Sequence, residues 1–257
     1  LKRASQHKRA MYYIARVDAP HVFPMAGPPM FSRDELFRYN GHGTHNDSIF
    51  TDQAEFIARM EEESPSKTGH VFIPGTVVEM QGGEVTVEQT LYTDAEVQAM
   101  FADKWGYLEA QRASRQAEIA EEEASRAEVL PPAEMLAALK AWWEPLMRRG
   151  RIFRDGIGGP VRYTIGELDM VADFPKAKLR EYAGEETAYW FTIPADLVST
   201  NIRDGEIDWS NSIFLSMQFQ TGRVGKFNEF MYTFMKCLSR DRIEYVENWY
   251  AEQSDTA

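Results

Sequence analysis

The sequence predicts an α+β protein built in two parts with a helical connector between them. Three observations carry that reading. Residues 1–92 mix short apolar runs with Pro/Gly turns and one polar loop, and residues 93–132 form a long Ala/Glu/Arg stretch. After Gly150 the pattern changes to short segments rich in β-branched and aromatic residues. The expected divisions are therefore 1–92, a connector over 93–132, and a compact α+β module over 133–257.

Taken in order, Lys2–Ala15 reads as a basic helix with Ala10, Tyr13 and Ile14 on one side, broken by Asp18–Pro20. His21–Met25 reads as a short apolar strand. Pro28 and Pro29 end it, because proline cannot donate to a sheet ladder. Ser32, with Glu35 three residues on, has the spacing of a capping box. Asn40–Ser48 is a loop by composition. Thr51 or Asp52 opens a helix whose Ala54, Phe56, Ile57 and Met60 form an apolar stripe, ended by Pro65–Gly69. Val71–Ile73 and Thr76–Met80 are strand-like, and Gly82-Gly83 turns the chain into Glu84–Gln89 as a hairpin. Thr93 with Glu96 opens the connector helix, which the pattern carries to Arg126 before Pro131-Pro132 breaks it. Ala133–Arg149 is an amphipathic helix with Leu136, Leu139, Trp142, Trp143 and Leu146, and Pro145 predicts a kink near its end. Pro160–Ile165, Leu168–Ala172 and Tyr189–Ile193 are strands, and Pro194–Asn201 is a short helix. A polar/aromatic strand is expected after Asp208-Trp209. Phe227–Leu238 is an aromatic-rich buried helix and Arg240–Glu252 an amphipathic last helix.

Composition excludes several functions. Hydrophobic residues make up 44% and aromatics 12%, enough for a sizeable core, while 40 acids against 28 bases leave a net charge of −12. Phosphate binding needs a basic face, so no nucleic acid is expected as partner, and an anionic membrane surface is disfavoured. No apolar run approaches the ~18 residues of a membrane span, and the first twenty residues lack a signal-peptide core. The cytoplasm is the expected location. Cys237 is the one cysteine. It excludes an internal disulfide, and no iron–sulfur cluster is expected in this chain, because such clusters need several thiolates.

Two stretches carry a family resemblance. FPMAGPPMF at Phe23–Phe31, followed by NDSIFTDQAEF at Asn46–Phe56, resembles the closing strand and loop of metallo-β-lactamase (MBL) fold proteins. It is most similar to the branch that includes the CMP-N-acetylneuraminate hydroxylase. DMVADFPKAKLREY, then the run from Phe191 to Leu238, resembles the C-terminal module of that branch. The resemblance implies that residues 1–92 are the terminal segment of an αββα fold, followed by the small α+β module, whose pattern also resembles a sterol-carrier-like sheet and helix arrangement. It implies the C-terminal portion of a metal-dependent hydrolase or Rieske-associated hydroxylase-like enzyme acting on a small molecule. A divalent metal (Zn, Fe or Mn) is then expected in the full-length protein. The H-x-H-x-D-H motif of that superfamily is absent here, so this chain alone is expected to be inactive.

His42, His45 and Asp47 are the candidate metal ligands, since neutral imidazole and carboxylate suit these ions. The resemblance singles out His45. The alternative is a solvated loop in which Asn46 and Asp47 make turn bonds. Asp34, Glu35 and Asp52 read as caps. Asp208 either lines a pocket or caps its segment while Trp209 anchors a core. Arg223 either pairs with an acid, binds an anionic group, or sits in a basic surface turn with Lys226. Cys237 reads as structural. A non-catalytic ligand-binding module, marked by an apolar cavity lined by Phe214, Met217, Phe219, Phe230 and Phe234, is the competing function. A structural module or homodimer face is the third.

Overall fold

The computed structural model describes residues 2–25, 28–41 and 48–254. The chain divides into two compact units, Leu1–Glu121 and Glu122–Ala257.

The first unit opens with α1 (Lys2–Val17). It stops at Asp18, which takes φ +54° and accepts a hydrogen bond from Lys67. The strand expected over His21–Met25 shortens to β1 (His21–Val22), which pairs in parallel with β2 (Thr68–Gly69). α2 (Gln53–Glu63) starts at Asp52, whose carboxylate accepts the Glu55 N–H at 2.8 Å. Val71–Ile73 forms no strand, because the Gln53 side-chain amide takes both backbone groups of Phe72, at 2.8 and 2.6 Å. The hairpin β3 (Thr76–Gln81) and β4 (Glu84–Gln89) has the expected register, with Gln81 opposite Glu84. Gly82 and Gly83 take φ +63° and +91°, the positive pair that a two-residue turn demands.

α3 (Asp94–Ala102) carries the Thr93–Glu96 capping box. The connector helix does not run unbroken. It stops at Asp103 and restarts as α4 (Lys104–Ser125), because the Asp103 carboxylate accepts the Gly106 N–H at 3.0 Å. Asp34 pairs with Arg112 (Oδ1 to Nε 3.0 Å) rather than capping. The buried apolar set of this unit is small: Phe31, Leu36, Phe37, Met60 and Leu108 among its described residues.

The α+β class holds, but the αββα expectation for residues 1–92 does not. That architecture packs broad sheets face to face. The described residues of the unit form only a two-residue parallel pair and one hairpin, whose Met80 is 71% exposed.

The second unit holds most of the core. α5 (Pro132–Arg149) runs through Pro145 to its end. α6 (Arg151–Ile157), absent from the sequence reading, follows after one residue. The sheet has the order β7-β6-β5-β8-β9. Its strands are β5 (Pro160–Ile165), β6 (Leu168–Asp173), β7 (Lys178–Glu181), β8 (Tyr189–Ile193) and β9 (Gln220–Arg223), and only the β5–β8 pair is parallel. β7 was not read from the sequence because it is a four-residue, charged edge strand with only Leu179 buried. The segment after Trp209 is not a strand. It winds into a helical turn over Ser210–Phe214 and enters the sheet only at β9.

α7 (Ala195–Asp204), α8 (Glu229–Met235) and α9 (Arg240–Ser254) complete the unit. α5 lies against β6 and β7 and touches α6, α7 and α9. At the centre Trp143 is wholly buried and meets Tyr163, Trp209 and Phe234 edge to face, with centroids 5.0–5.7 Å apart.

Candidate functional site

The second unit leaves one aromatic cleft beside its sheet edge. Strand alternation puts Tyr189 and Phe191 of β8 on one face and Trp190 on the other. The register of β9, with Tyr189 opposite Arg223 and Phe191 opposite Thr221, adds Thr221 and Arg223 to the same face. Trp190 crosses over Gly222, where any Cβ would fall 2.0 Å from its ring. From the loop before β9 come Phe214 and Phe219, edge to face at 5.0 Å. Phe227 comes from just ahead of α8, and Met231 and Tyr232 from α8 itself. These residues enclose about 130 Å³.

The cleft is built on fixed parts. Phe191 stacks on buried Tyr163 at 5.2 Å, and Phe214 meets Tyr232 at 5.0 Å. The Tyr189 hydroxyl donates to the Lys226 carbonyl at 3.1 Å and accepts the Asn228 N–H. Asn228 caps α8 through the Phe230 N–H at 3.0 Å and donates to the Gly156 carbonyl at 2.8 Å. Thr221 spends its hydroxyl on the Trp190 carbonyl. The Arg223 guanidinium lies 5.6 Å from the Phe227 ring centroid, and no described carboxylate pairs with it. The arrangement offers apolar ring contact beside the Arg223 cation at the lip.

Two of the five residues expected to line a cavity, Phe214 and Phe219, do so. Phe234 is wholly buried in the core, and Phe230 packs on Tyr250. Helical phase explains the difference. Residues 230 and 234, four apart, share one face of α8, whereas Met231 and Tyr232 turn to the cleft and Phe227 reaches it from just ahead of the helix. Asp208 caps its segment, accepting the Ser210 N–H at 3.1 Å and pairing with Arg242 at 2.9 Å, while Trp209 is core. Burial raises the Asp208 carboxyl, but the Ser210 hydroxyl and Arg242 outweigh it and hold the group below its ordinary range. Cys237 is buried and burial pushes its thiol up, the setting of an inert thiol.

His42, His45 and Asp47 lie outside the described residues. Among the described residues no three His, Cys, Asp or Glu side chains are arranged to hold a metal ion.

In the first unit the structure brings together a pair that the sequence reading did not: His21 Nδ1 lies 2.9 Å from His70 Nε2, and Phe23 stacks on His70 at 4.7 Å. Forty-nine residues separate the two histidines, so no local motif marks them. Burial, and then His21, lower the His70 pKa, with Glu61 opposing. One ring must donate to the lone pair of the other, which two imidazolium rings cannot do. Above the ordinary value near 6.5 His70 is neutral folded or unfolded, and stability is full. As pH falls below it, the unfolded chain takes up a proton that the folded one resists. Stability then declines until pH passes the folded pKa. Urea unfolding of the full chain between about pH 8 and 5 should show the midpoint of the first unit falling with pH, with the slope reduced in His70→Gln. A slope unchanged by that substitution would sink the assignment to His70.

Comparison with known proteins overturns the metallo-β-lactamase resemblance. Residues 135–252 match the model of an Rv3818-like, SCP2-like domain. Over 256 residues the chain is 38% identical to a protein of Mycobacterium tuberculosis (strain ATCC 25618 / H37Rv) named as a Rieske 2Fe-2S iron-sulfur protein, Rv3818. A Mycolicibacterium smegmatis protein with the same type of name is 38% identical over 260 residues. Each alignment covers 99% of this chain and 49% of the relative, so the chain spans about half the length of the curated relatives it matches. No solved structure matches it.

The reading as part of an MBL-fold hydrolase is therefore withdrawn, and with it the support that the resemblance lent to His45. The first of the stretches that suggested it, FPMAGPPMF, is short and dominated by Pro, Gly and aromatic residues, which turns and cores of many folds share, and the second is matched by the SCP2-like model instead. A Rieske centre takes two cysteines and two histidines. This chain has Cys237 alone, and it is buried, so its residues do not fit that group. The sterol-carrier-like pattern read in residues 133–257 points the same way as the family match. The chain is thus similar along nearly its whole length to Rv3818 and its mycobacterial counterparts, and within it residues 135–252 match the Rv3818-like, SCP2-like domain.

Proposed function

We propose that the second unit is a non-catalytic binding module that takes one small aromatic ring system, or a short acyl segment, into the cleft between β8, β9 and α8. The observation that carries this reading is the cleft itself: six aromatic side chains, from β8, the segment before β9 and the region of α8, converge on a space of about 130 Å³. An apolar cavity of about 150 Å³ is large enough for a benzene ring, whereas sites for drug-sized ligands run to ~300–1,000 Å³. Size thus selects a single small ring system, of benzene to indole size, or a short acyl segment. The match to the SCP2-like domain and the lack of an acid–base pair at the cleft support binding over chemistry. The relatives' name speaks of a Rieske centre. In this reading the cluster of the whole protein takes its thiolates from outside this chain, and the present part holds a ligand.

Titration of the full chain with indole, followed by NMR shifts of the cleft residues, tests the proposal. Ligands of this size reach roughly millimolar to micromolar Kd. Thr221→Trp, at an exposed wall position, should fill the cleft and weaken indole by at least about tenfold with little change in melting temperature. Indole that binds the variant equally well, or shifts only residues away from the cleft, would refute it.

A further inference from the structure

The lip of the cleft differs from the rest of this acidic molecule. Leu215, Val224 and Phe227 are 72%, 71% and 64% exposed, and Tyr232 is 36% exposed. Arg223 lies beside Phe227, and the Lys236 ammonium is 5.3 Å from the centroid of Tyr232. Lys226 is exposed between them in sequence. Arg223, Lys226 and Lys236 form no ion pair with a described carboxylate. Their unit pairs Arg126, Arg149, Arg162, Arg203 and Arg242 with acids. From Phe214 to Lys236 the only acid is Glu229, in a chain of net charge −12. Basic residues left unpaired among exposed aromatic and aliphatic side chains are the chemistry of a headgroup boundary. There the rings enter the acyl edge while the cations meet phosphate.

We infer that this lip docks on an anionic lipid bilayer, with Phe227 and Val224 entering the interface and Arg223, Lys226 and Lys236 facing the phosphates. The net charge of the chain argues the other way, and the local distribution decides. At physiological salt, interactions are screened beyond about 8 Å, so a bilayer meets the lip and not the distant acids. Contact is peripheral, since no helix of the described residues is long and apolar enough to cross a membrane. Because the cleft opens at the lip, an apolar ligand would pass between bilayer and cleft without crossing water. That consequence rests on the binding reading above. The docking itself does not, so vesicle binding and indole binding can fail separately.

The test is flotation of the full 257-residue chain with vesicles of phosphatidylcholine, and with vesicles containing about 30% phosphatidylglycerol, at low salt and at about 0.5 M salt. The chain should float with the anionic vesicles only, and release with salt. The double variant Arg223→Glu/Lys226→Glu should lower partitioning by at least about tenfold. Phe227→Ser should lower it several-fold, with circular dichroism unchanged in both. Absence of flotation, equal flotation with neutral vesicles, or flotation indifferent to these substitutions would overturn the inference. So would a wild-type chain that ignores vesicles but self-associates through Phe227.

Discussion

Trp143→Ala is expected to cost the second unit about 3–5 kcal/mol, the range for emptying a large buried aromatic site. The side chain is wholly buried and sits at the meeting point of α5, the sheet, the Trp209 turn and α8. Each edge-to-face aromatic pair adds about 0.5–1.5 kcal/mol beyond area burial. The neighbours cannot collapse into the space, because Phe234 is also held by Phe153 and Phe174, at 5.6 and 5.0 Å. Against a total stability of roughly 5–15 kcal/mol, the melting temperature of this unit should fall by about 10–20 °C. Trp143→Phe separates packing from polarity. The buried Trp143 Nε1 has no hydrogen-bond partner in the structure, so phenylalanine removes an orphan donor while keeping most of the ring. Its cost should be about 1–2 kcal/mol. Equal losses for the two variants, measured by urea unfolding, would contradict the packing argument.

The parts of the fold legible in the sequence are those whose signal is local. The Gly82-Gly83 hairpin, the Thr93–Glu96 and Asp52 caps, and the strands read over 160–165, 168–172 and 189–193 all declare themselves within a few residues. What the sequence hid depends on distant partners. Phe72 is kept out of a strand by a side chain nineteen residues away. The break at Asp103 turns on one carboxylate choosing a cap inside an otherwise continuous helical pattern. The aromatic run after Trp209 has strand-like composition, yet its core anchors are Trp209 and Ile213, four apart, a helical spacing.

The candidate site was half legible for a related reason. A cavity near Phe214 and Phe219 follows from aromatic residues in excess of what one helix face can bury. Which α8 residues join it is a matter of phase: Phe230 and Phe234, four apart, share a face turned from the cleft, while Met231 and Tyr232 line it. The contribution of β8 came from register alone, since nothing in YWFTI says that Tyr189 and Phe191 face the loop while Trp190 faces away. The His21–His70 pair left no trace in the sequence, and family resemblance misled where short Pro/Gly/aromatic strings were read as a fold signature.

Arg126 joins stability to the cleft, and its removal is the second large effect expected. Its side chain is only 7% exposed and meets three acceptors: Glu122 through Nε and Nη2 (both 3.0 Å), Asp196 through Nη1 (2.8 Å) and Gln218 through Nη2 (2.6 Å). Burial opposes its charge, but Glu122 and Asp196 outweigh that and raise its pKa. Arg126→Met keeps the apolar stem and strands the acceptors. Cutting a fully buried pair costs about 3–5 kcal/mol. Here Glu122 and Asp196 are 48% and 37% exposed and can turn to water, so about 1–3 kcal/mol is expected. Arg126→Lys should recover only part of it, since one ammonium cannot span the three acceptors. Gln218 immediately precedes Phe219, a wall of the cleft. Freed from Arg126, the loop should loosen, and indole should bind several-fold more weakly than to the native chain. Gln218→Ala alone should reproduce the binding loss with a smaller loss of stability, and the two substitutions together should lose less than the sum of their separate effects. Full additivity, or native indole affinity in Arg126→Met, would show that this arginine holds the unit together without shaping the site.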